Sequence, residues 1–324
     1  DVFKDLAIII IAAKFFFFFS RKCKAPQVVG EIIAGLIIGP SILGLVNQSD
    51  FLIEMAEIGV IILMFSAGLE TDLKDLMKTG PIAALIACAG VFVPLILGAL
   101  LYMGFYGVAP WGSEGFYKAV FVGTILTATS VSITVEALKE MGKLKGKVGT
   151  TILSAAIIDD VIGIIVLTFV MGFKSPDSNP ASVVVNTVLF FIFAIVVGFV
   201  CFKIFKFVDN KYPHTRRIPI AGLALCLAMA YIAEKYFGIA DITGAYVAGI
   251  ILCSIRDSEY IASKMDTNSY ILFGPVFFAS IGLKTNLESL NVSILIFSIA
   301  FVAVGLISKI IGCSLMARIC KFNM

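Results

Sequence analysis

Apolar stretches of about 20 residues follow one another from one end of this 324-residue chain to the other. Each has the length an α-helix needs to cross the hydrocarbon core of a bilayer. We place spans at 5–20, 26–46, 52–70, 81–104, 116–138, 148–171, 182–208, 216–236, 239–255, 268–283 and 291–317. Composition agrees: 60% of the residues are hydrophobic and 15% are charged, against about 25% charged in a soluble domain. This excludes a soluble enzyme. A net charge of +3 without a basic stripe excludes a nucleic-acid binder. A β-barrel would show shorter segments of alternating polarity. The expected class is therefore an all-α polytopic membrane protein.

Seven cysteines occur, none in a CxxC pair and most inside apolar runs. They read as small buried hydrophobes, not as a disulfide framework. The single histidine, His214, excludes histidine metal sites.

Orientation follows from the distribution of Lys and Arg between alternating loops. One side carries 18, including Lys139, Lys143, Lys145 and Lys147, and the other carries 5. The N-terminus is expected outside and residue 324 on the cytoplasmic side.

Two segments repeat without a gap at an offset of 214 residues. GEIIAG (30–35) aligns with GAYVAG (244–249), and SAGLETDL (66–73) with SIGLKTNL (280–287). Small residues recur in many membrane helices, but that does not explain the shared G-L-x-T-x-L tail. The first tail enters a cytoplasmic loop and the second an external one, so the repeats are expected to be inverted, as in many secondary transporters. On this scheme the partner of the first half would end near residue 385. About two spans, the counterparts of 116–138 and 148–171, are then expected to be absent from this chain.

Ionisable residues in mid-span cost roughly 2.5–3.5 kcal/mol on insertion scales and need a reason. Asp159 and Asp160 are adjacent in IIDDVIGIIVL (157–167). Successive helical residues point about 100° apart, so one acid can face a partner helix and the other a cavity. Like charges side by side repel and favour taking up a proton. Lys309, in SKIIG (308–312), needs a counter-ion, and either acid serves. Thr124, Thr127, Thr129, Ser130, Ser132 and Thr134 crowd one span, where hydroxyls and freed carbonyls suit a hard cation such as Na⁺. Hydroxyls also bond to their own helix backbone, and no proline in 116–138 demands a break. Glu31, near a helix start, is expected to stabilise that N-terminus. Lys14 is expected to turn toward protein, with the five phenylalanines after it (Phe15 to Phe19) facing lipid.

These motifs, together with QVVGEIIAGLIIGPSILG (27–44), AEIGVIILMFSAGLETDLKDL (56–76), TATSVSITVEAL (127–138), AAIIDDVIGIIVL (155–167) and PVFFASIGL (275–283), resemble the cation:proton antiporter-2 family, and within it the NapA-type bacterial Na⁺/H⁺ antiporters. The resemblance covers essentially the whole chain. It implies an inverted-repeat fold of thirteen spans with a dimerisation domain and a mobile core domain. On that pattern, 1–46 holds the first dimer-domain helices and 52–171 the first-repeat core helices, including a broken helix at 116–138 and the Asp-Asp helix at 148–171. Residues 182–208 form a linker helix, 216–255 the second-repeat dimer-domain helices, and 268–324 the second-repeat core helices.

Further implied are a break around Thr129 and Ser130, Asp160 as the carboxylate that carries Na⁺ (or Li⁺) and protons with Thr129 and Ser130, and Asp159 as the partner of Lys309. A homodimer in the bacterial cytoplasmic membrane, serving pH homeostasis without a cofactor, is implied too. Family members of the potassium-efflux kind carry Gln-Asp where this chain has Asp159-Asp160, which favours Na⁺. A K⁺/H⁺ antiporter on the same fold, or a non-transporting fragment, stays open. Two acids adjacent on one helix argue against an intramembrane aspartyl protease, whose acids come from different helices.

Overall fold

The structure, a computed structural model, describes residues 2–23, 25–172, 180–211, 217–285 and 291–320. Lys24, Lys174, His214, Arg216, Lys321 and the end of the second repeated tail (286–287) lie outside the described residues. Among the described residues there are thirteen α-helices and no strand. They are α1 (Val2–Lys22), α2 (Gln27–Ile38), α3 (Asp50–Leu69), α4 (Leu73–Tyr106), α5 (Glu114–Thr127), α6 (Val131–Glu140), α7 (Lys147–Gly172), α8 (Pro180–Lys211), α9 (Arg217–Phe237), α10 (Asp241–Leu252), α11 (Ser258–Asn268), α12 (Gly274–Leu283) and α13 (Val292–Ile319). A π-helical turn, Ser269–Phe273, joins α11 to α12. By length and composition five stretches among the described residues suffice on their own to cross a membrane: 50–69, 76–106, 184–208, 217–237 and 292–319.

Two elements differ from the sequence expectation for physical reasons, and a third, 116–138, is divided as the family resemblance implies. The span expected at 26–46 is helical only to Ile38, because Gly39 precedes Pro40 and is held extended (φ −74°, ψ 178°); a residue before proline is disfavoured in the α region. Its counterpart α10 is equally short, at 12 residues. The span at 116–138 is two helices, broken at residues 128–130. Finally, residues 258–268 are helical and continue through the π turn into α12, although their charges make them read as a loop.

The chain forms two compact units. The first comprises residues 1–73, 132–146 and 190–289; the second comprises 74–131, 147–189 and 290–324. The grouping expected from the sequence followed consecutive blocks and placed 52–70 and 268–283 with the core helices; in the structure α3 and α12 lie in the first unit with α2 and α10.

The repeated glycines account for that grouping. In the first unit α2 packs on α12 and α10 on α3, while α1 packs on α2 and α9 on α10. A Cβ added to Gly282 would lie 2.7 Å from the carbonyl carbon of Gly35, and one added to Gly35 would lie 2.8 Å from Ala279 Cα. One added to Gly249 would lie 2.7 Å from Gly68 Cα, and one added to Gly68 would lie 2.9 Å from Gly249 Cα. Gly35 and Gly249 are equivalent in the repeat, as are Gly68 and Gly282. Each repeat thus places its first glycine motif against the second motif of the other repeat. Close backbone approach of this kind is open only to small residues. The third equivalent pair behaves alike, with Gly30 set against α1 at Phe16 and Gly244 against α9 at Met229. Around the α2–α12 crossing, Ile9, Ile38, Val46, Leu52, Met55, Val276 and Leu283 form a buried apolar cluster.

Three polar side chains of the first unit have partners that bear on its helices. Lys14 donates to the carbonyl of Tyr270 (3.3 Å) and lies 3.7 Å from the centre of its ring. It therefore turns toward protein and ties down a carbonyl of the π turn, where the hydrogen-bond register is shifted. Phe15, Phe18 and Phe19 are exposed. Glu31 is 1% exposed and accepts a hydrogen bond from the Gln27 side-chain amide at 2.8 Å. The N-terminus of α2 is met instead by Glu140, whose two oxygens accept the Gln27 backbone N–H at 2.8 and 2.9 Å.

Candidate functional site

The site lies wholly within the second unit, on α4, α5, α7 and α13. Small residues bring these helices together. A Cβ on Gly98 would lie 2.9 Å from Gly123 Cα, fixing α4 against α5, and one on Gly312 would lie 3.0 Å from the Ala89 carbonyl oxygen, fixing α13 against α4.

α5 stops at Thr127, and threonine hydroxyls bond to backbone carbonyls along its last turns. Thr124 donates to Val120 O at 2.9 Å and Thr127 to Thr124 O at 2.7 Å. Ala128 then turns extended (φ −61°, ψ 124°), and α6 begins at Val131. Hydroxyls that compete with the helix ladder can do this without a proline. The break sets the negative end of the α5 dipole near the positive end of α6.

Thr129, inside the break, donates to Asp159 Oδ2 at 3.0 Å. Its oxygen also lies 3.3 Å from Thr127 O; a hydroxyl has one proton, and the shorter contact to the carboxylate takes it. Lys309 Nζ reaches the same Asp159 oxygen at 2.8 Å. The Asp159 side chain is 6% exposed and that of Lys309 22%. The other Asp159 oxygen, Oδ1, is buried without a hydrogen-bond partner. Of the two acids the sequence offered to Lys309, the structure brings Asp159 to it.

Asp160, half-buried, lines a cavity of about 290 Å³ together with Phe121, Thr124, Ile125, Thr127, Ala128, Asp159 and Gly163. The two adjacent acids thus have different surroundings: Asp159 is held by a lysine and a threonine, and Asp160 opens on the cavity. Ser130 lies exposed in the break and is not among the cavity-lining residues. Thr124 and Thr127 do line it, and both donate their protons to backbone carbonyls. Their oxygens' lone pairs are the groups left for a ligand.

Gly90 is a further member that the sequence did not single out. A Cβ there would lie 3.2 Å from Asp159 Oδ1, 3.2 Å from Cys313 Sγ and 3.7 Å from Lys309 Nζ. The available signal was Pro94, four residues on in α4: a proline cannot donate to the carbonyl of residue 90, which marks an irregular turn of the helix.

The chain is similar to known proteins along nearly its whole length. The family described as "Sodium/hydrogen exchanger, transmembrane" matches residues 6–324. The probable Na⁺/H⁺ antiporter GerT of Bacillus cereus is 36% identical over 324 residues, 99% of this chain and 83% of that protein. The Na⁺/H⁺-K⁺ antiporter GerN of the same organism is 34% identical, covering 100% of this chain and 81% of GerN. A Na⁺/H⁺ antiporter of Enterococcus hirae is 33% identical over 98% of this chain and 82% of its own. Among solved structures, the sodium proton antiporter MjNhaP1 of Methanocaldococcus jannaschii at pH 8 superposes with a TM-score of 0.70 at 19% identity. That match covers 98% of this chain and 79% of that one, and it establishes the fold. The chain is a multi-pass membrane protein and belongs to the sodium/hydrogen exchanger family.

Proposed function

We propose that this protein exchanges Na⁺ (or Li⁺) for H⁺ across the bacterial cytoplasmic membrane by alternating access, with Asp160 as the carboxylate that binds the cation or a proton. The observation that carries the reading is the division of labour between two adjacent acids: Asp159 is neutralised by Lys309 at 2.8 Å, while Asp160 opens on a cavity. In a water-poor site a carboxylate without a fixed counter-ion needs a cation or a proton. Either occupant neutralises it, so one displaces the other, and cation and proton travel in opposite directions. Thr124 and Thr127, which line the cavity, and the backbone at the break around Thr129 and Ser130 supply oxygens for a hard cation. Thr129 and Lys309 hold Asp159 in place. No cofactor enters the cycle; the cation is cargo.

The protein works in this reading as a homodimer, with its N-terminus outside and residue 324 on the cytoplasmic side, following the 18-to-5 bias in Lys and Arg. In this cycle the residues of the first unit serve as the dimerisation domain and those of the second as the core that moves.

A K⁺-exchanging variant of the cycle has one specific support, the 34% identity to an antiporter named for both Na⁺ and K⁺. Proteoliposomes loaded with a pH dye separate the two. Addition of Na⁺ or Li⁺ is expected to move protons at lower concentration than K⁺. Equal or better response to K⁺ would replace the Na⁺ reading by the K⁺ one, and no response to any of the three would reject exchange.

A further inference from the structure

A second cavity, of about 590 Å³, lies wholly within the first unit and shares no lining residue with the exchange site. Its walls come from α2, α6, α11, the π turn and α12. Four carboxylates line it: Glu31 on α2, Glu136 and Glu140 on α6, and Asp266 on α11. The lysine among its lining residues, Lys139, has its charge already engaged. Lys139 pairs with Asp266 and lies 3.7 Å from Glu70, which is not part of the wall. Glu140 is engaged too, since its two oxygens accept the first N–H of α2, where the helix dipole favours an anion.

Glu31 and Glu136 remain. Neither has an ion pair among the described residues. Glu31 is 1% exposed, and the hydrogen bond it receives comes from the neutral Gln27 amide at 2.8 Å. An amide does not cancel a charge, and a buried carboxylate is costly until a cation or a proton does. Lys14, in the same unit, is held instead by the carbonyl and ring of Tyr270. The spacing of the acids restricts what can meet them. Among the described residues no three His, Cys, Asp or Glu side chains converge closely enough to hold a metal ion, so these carboxylates face separate charges. The volume falls in the range of organic-ligand sites, about 300–1,000 Å³. Most of the wall surface is apolar, with Ile271, Pro275 and Phe278 contributing. A ligand that suits both features carries separated positive charges on a flexible apolar stem. Each ammonium brings three donors to a carboxylate, and the methylenes between them leave water for the apolar wall.

We propose that this cavity binds a linear aliphatic polyamine, with Glu31 and Glu136 as the groups that meet its ammonium ends. Binding here does not depend on which cation the exchange site carries.

The test titrates the full chain, purified in an uncharged detergent, with spermidine by calorimetry at neutral pH and low salt, where screening is weakest. Saturable binding with a Kd below about 1 mM is expected. Glu31→Gln and Glu136→Gln each raise the Kd about tenfold, the size of one charge-assisted hydrogen bond. Both keep the size of the side chain, and if one variant does not accumulate the other carries the test. Glu114→Gln, at an exposed acid of α5 outside the cavity, keeps the parental Kd. Butylamine, with a single ammonium, binds at least about tenfold more weakly than spermidine. Absence of saturable binding overturns the proposal, as does a parental Kd in both glutamine variants. So does butylamine binding as tightly as spermidine, or Mg²⁺ displacing spermidine at equal concentration. Calorimetry reads binding without transport, so failure here leaves the exchange reading standing, and failure of exchange leaves this site standing.

Discussion

Replacing Gly282 by alanine tests the helix crossings that build the first unit. The added Cβ would meet the Ile32 carbonyl oxygen and the Leu36 amide nitrogen, and would stand 2.7 Å from the Gly35 carbonyl carbon. Ordinary contact begins near 3.4 Å, so α2 and α12 must part by about 0.7 Å or more. The obstructing atoms are backbone on the facing helix, and no side chain can swing aside. A gap of that size forfeits a quarter to a half of the dispersion energy across it, and the buried cluster around Ile38, Val276 and Leu283 lies beside it. Overpacking ordinarily costs about 1–3 kcal/mol; with backbone on both sides we expect about 3 kcal/mol. That lowers the melting temperature of the detergent-solubilised protein by on the order of 5 °C. Gly68→Ala, at the equivalent crossing of α3 and α10, is expected to fall by a similar amount. Gly104→Ala is the control: nothing lies within 4 Å of its added Cβ, and it sits near the end of α4. There the loss of glycine's conformational freedom stabilises by up to about 1 kcal/mol. Thermal melts followed by tryptophan-independent aggregation or circular dichroism read all three. If Gly282→Ala melts with the parent, the crossings are not limited by backbone contact and the argument for the paired glycines fails.

The remaining expectations concern the second unit. Lys309→Ala strands the buried Asp159 charge, so it should destabilise by about 3 kcal/mol, and adding Asp159→Asn should recover most of that; additive melting shifts would deny the ion pair an energetic role. Thr129→Ala removes a hydrogen bond to a charged group, worth about 1.5 kcal/mol, and should raise the KM for Na⁺ roughly tenfold, whereas Thr129→Ser should keep it. An unchanged KM in Thr129→Ala would remove Thr129 from the site.

Much of this architecture was legible in the sequence because membranes make polar residues informative. Asp159, Asp160 and Lys309 stood out as charges in apolar runs, and the structure pairs Asp159 with Lys309 at 2.8 Å. The repeat at offset 214 marked the equivalent glycines, and the structure sets them at the close crossings of α2 with α12 and of α3 with α10. What the sequence did not reveal lies where structure is non-local. The residues by themselves left both Asp159 and Asp160 open to Lys309, because the choice depends on how α7 is rotated against α13; the family resemblance alone pointed to Asp159. The break at 128–130 was implied by the family resemblance alone, since no proline in 116–138 demands it. Residues 258–268 read as a loop because their apolar positions are few, yet Ile261, Ala262 and Met265 are buried. The grouping of α3 with α10, and of α12 with α2, was hidden because each helix pairs with the other repeat and not with its neighbour in sequence.

The central claim is that Asp160 carries the cation and the proton in turn. Asp160→Asn keeps the size of the side chain and removes its charge. In proteoliposomes with an imposed Na⁺ gradient, the account predicts no Na⁺-dependent proton movement from this variant at any Na⁺ concentration, with the protein still folded and inserted. Proton movement within about tenfold of the parental rate would contradict it.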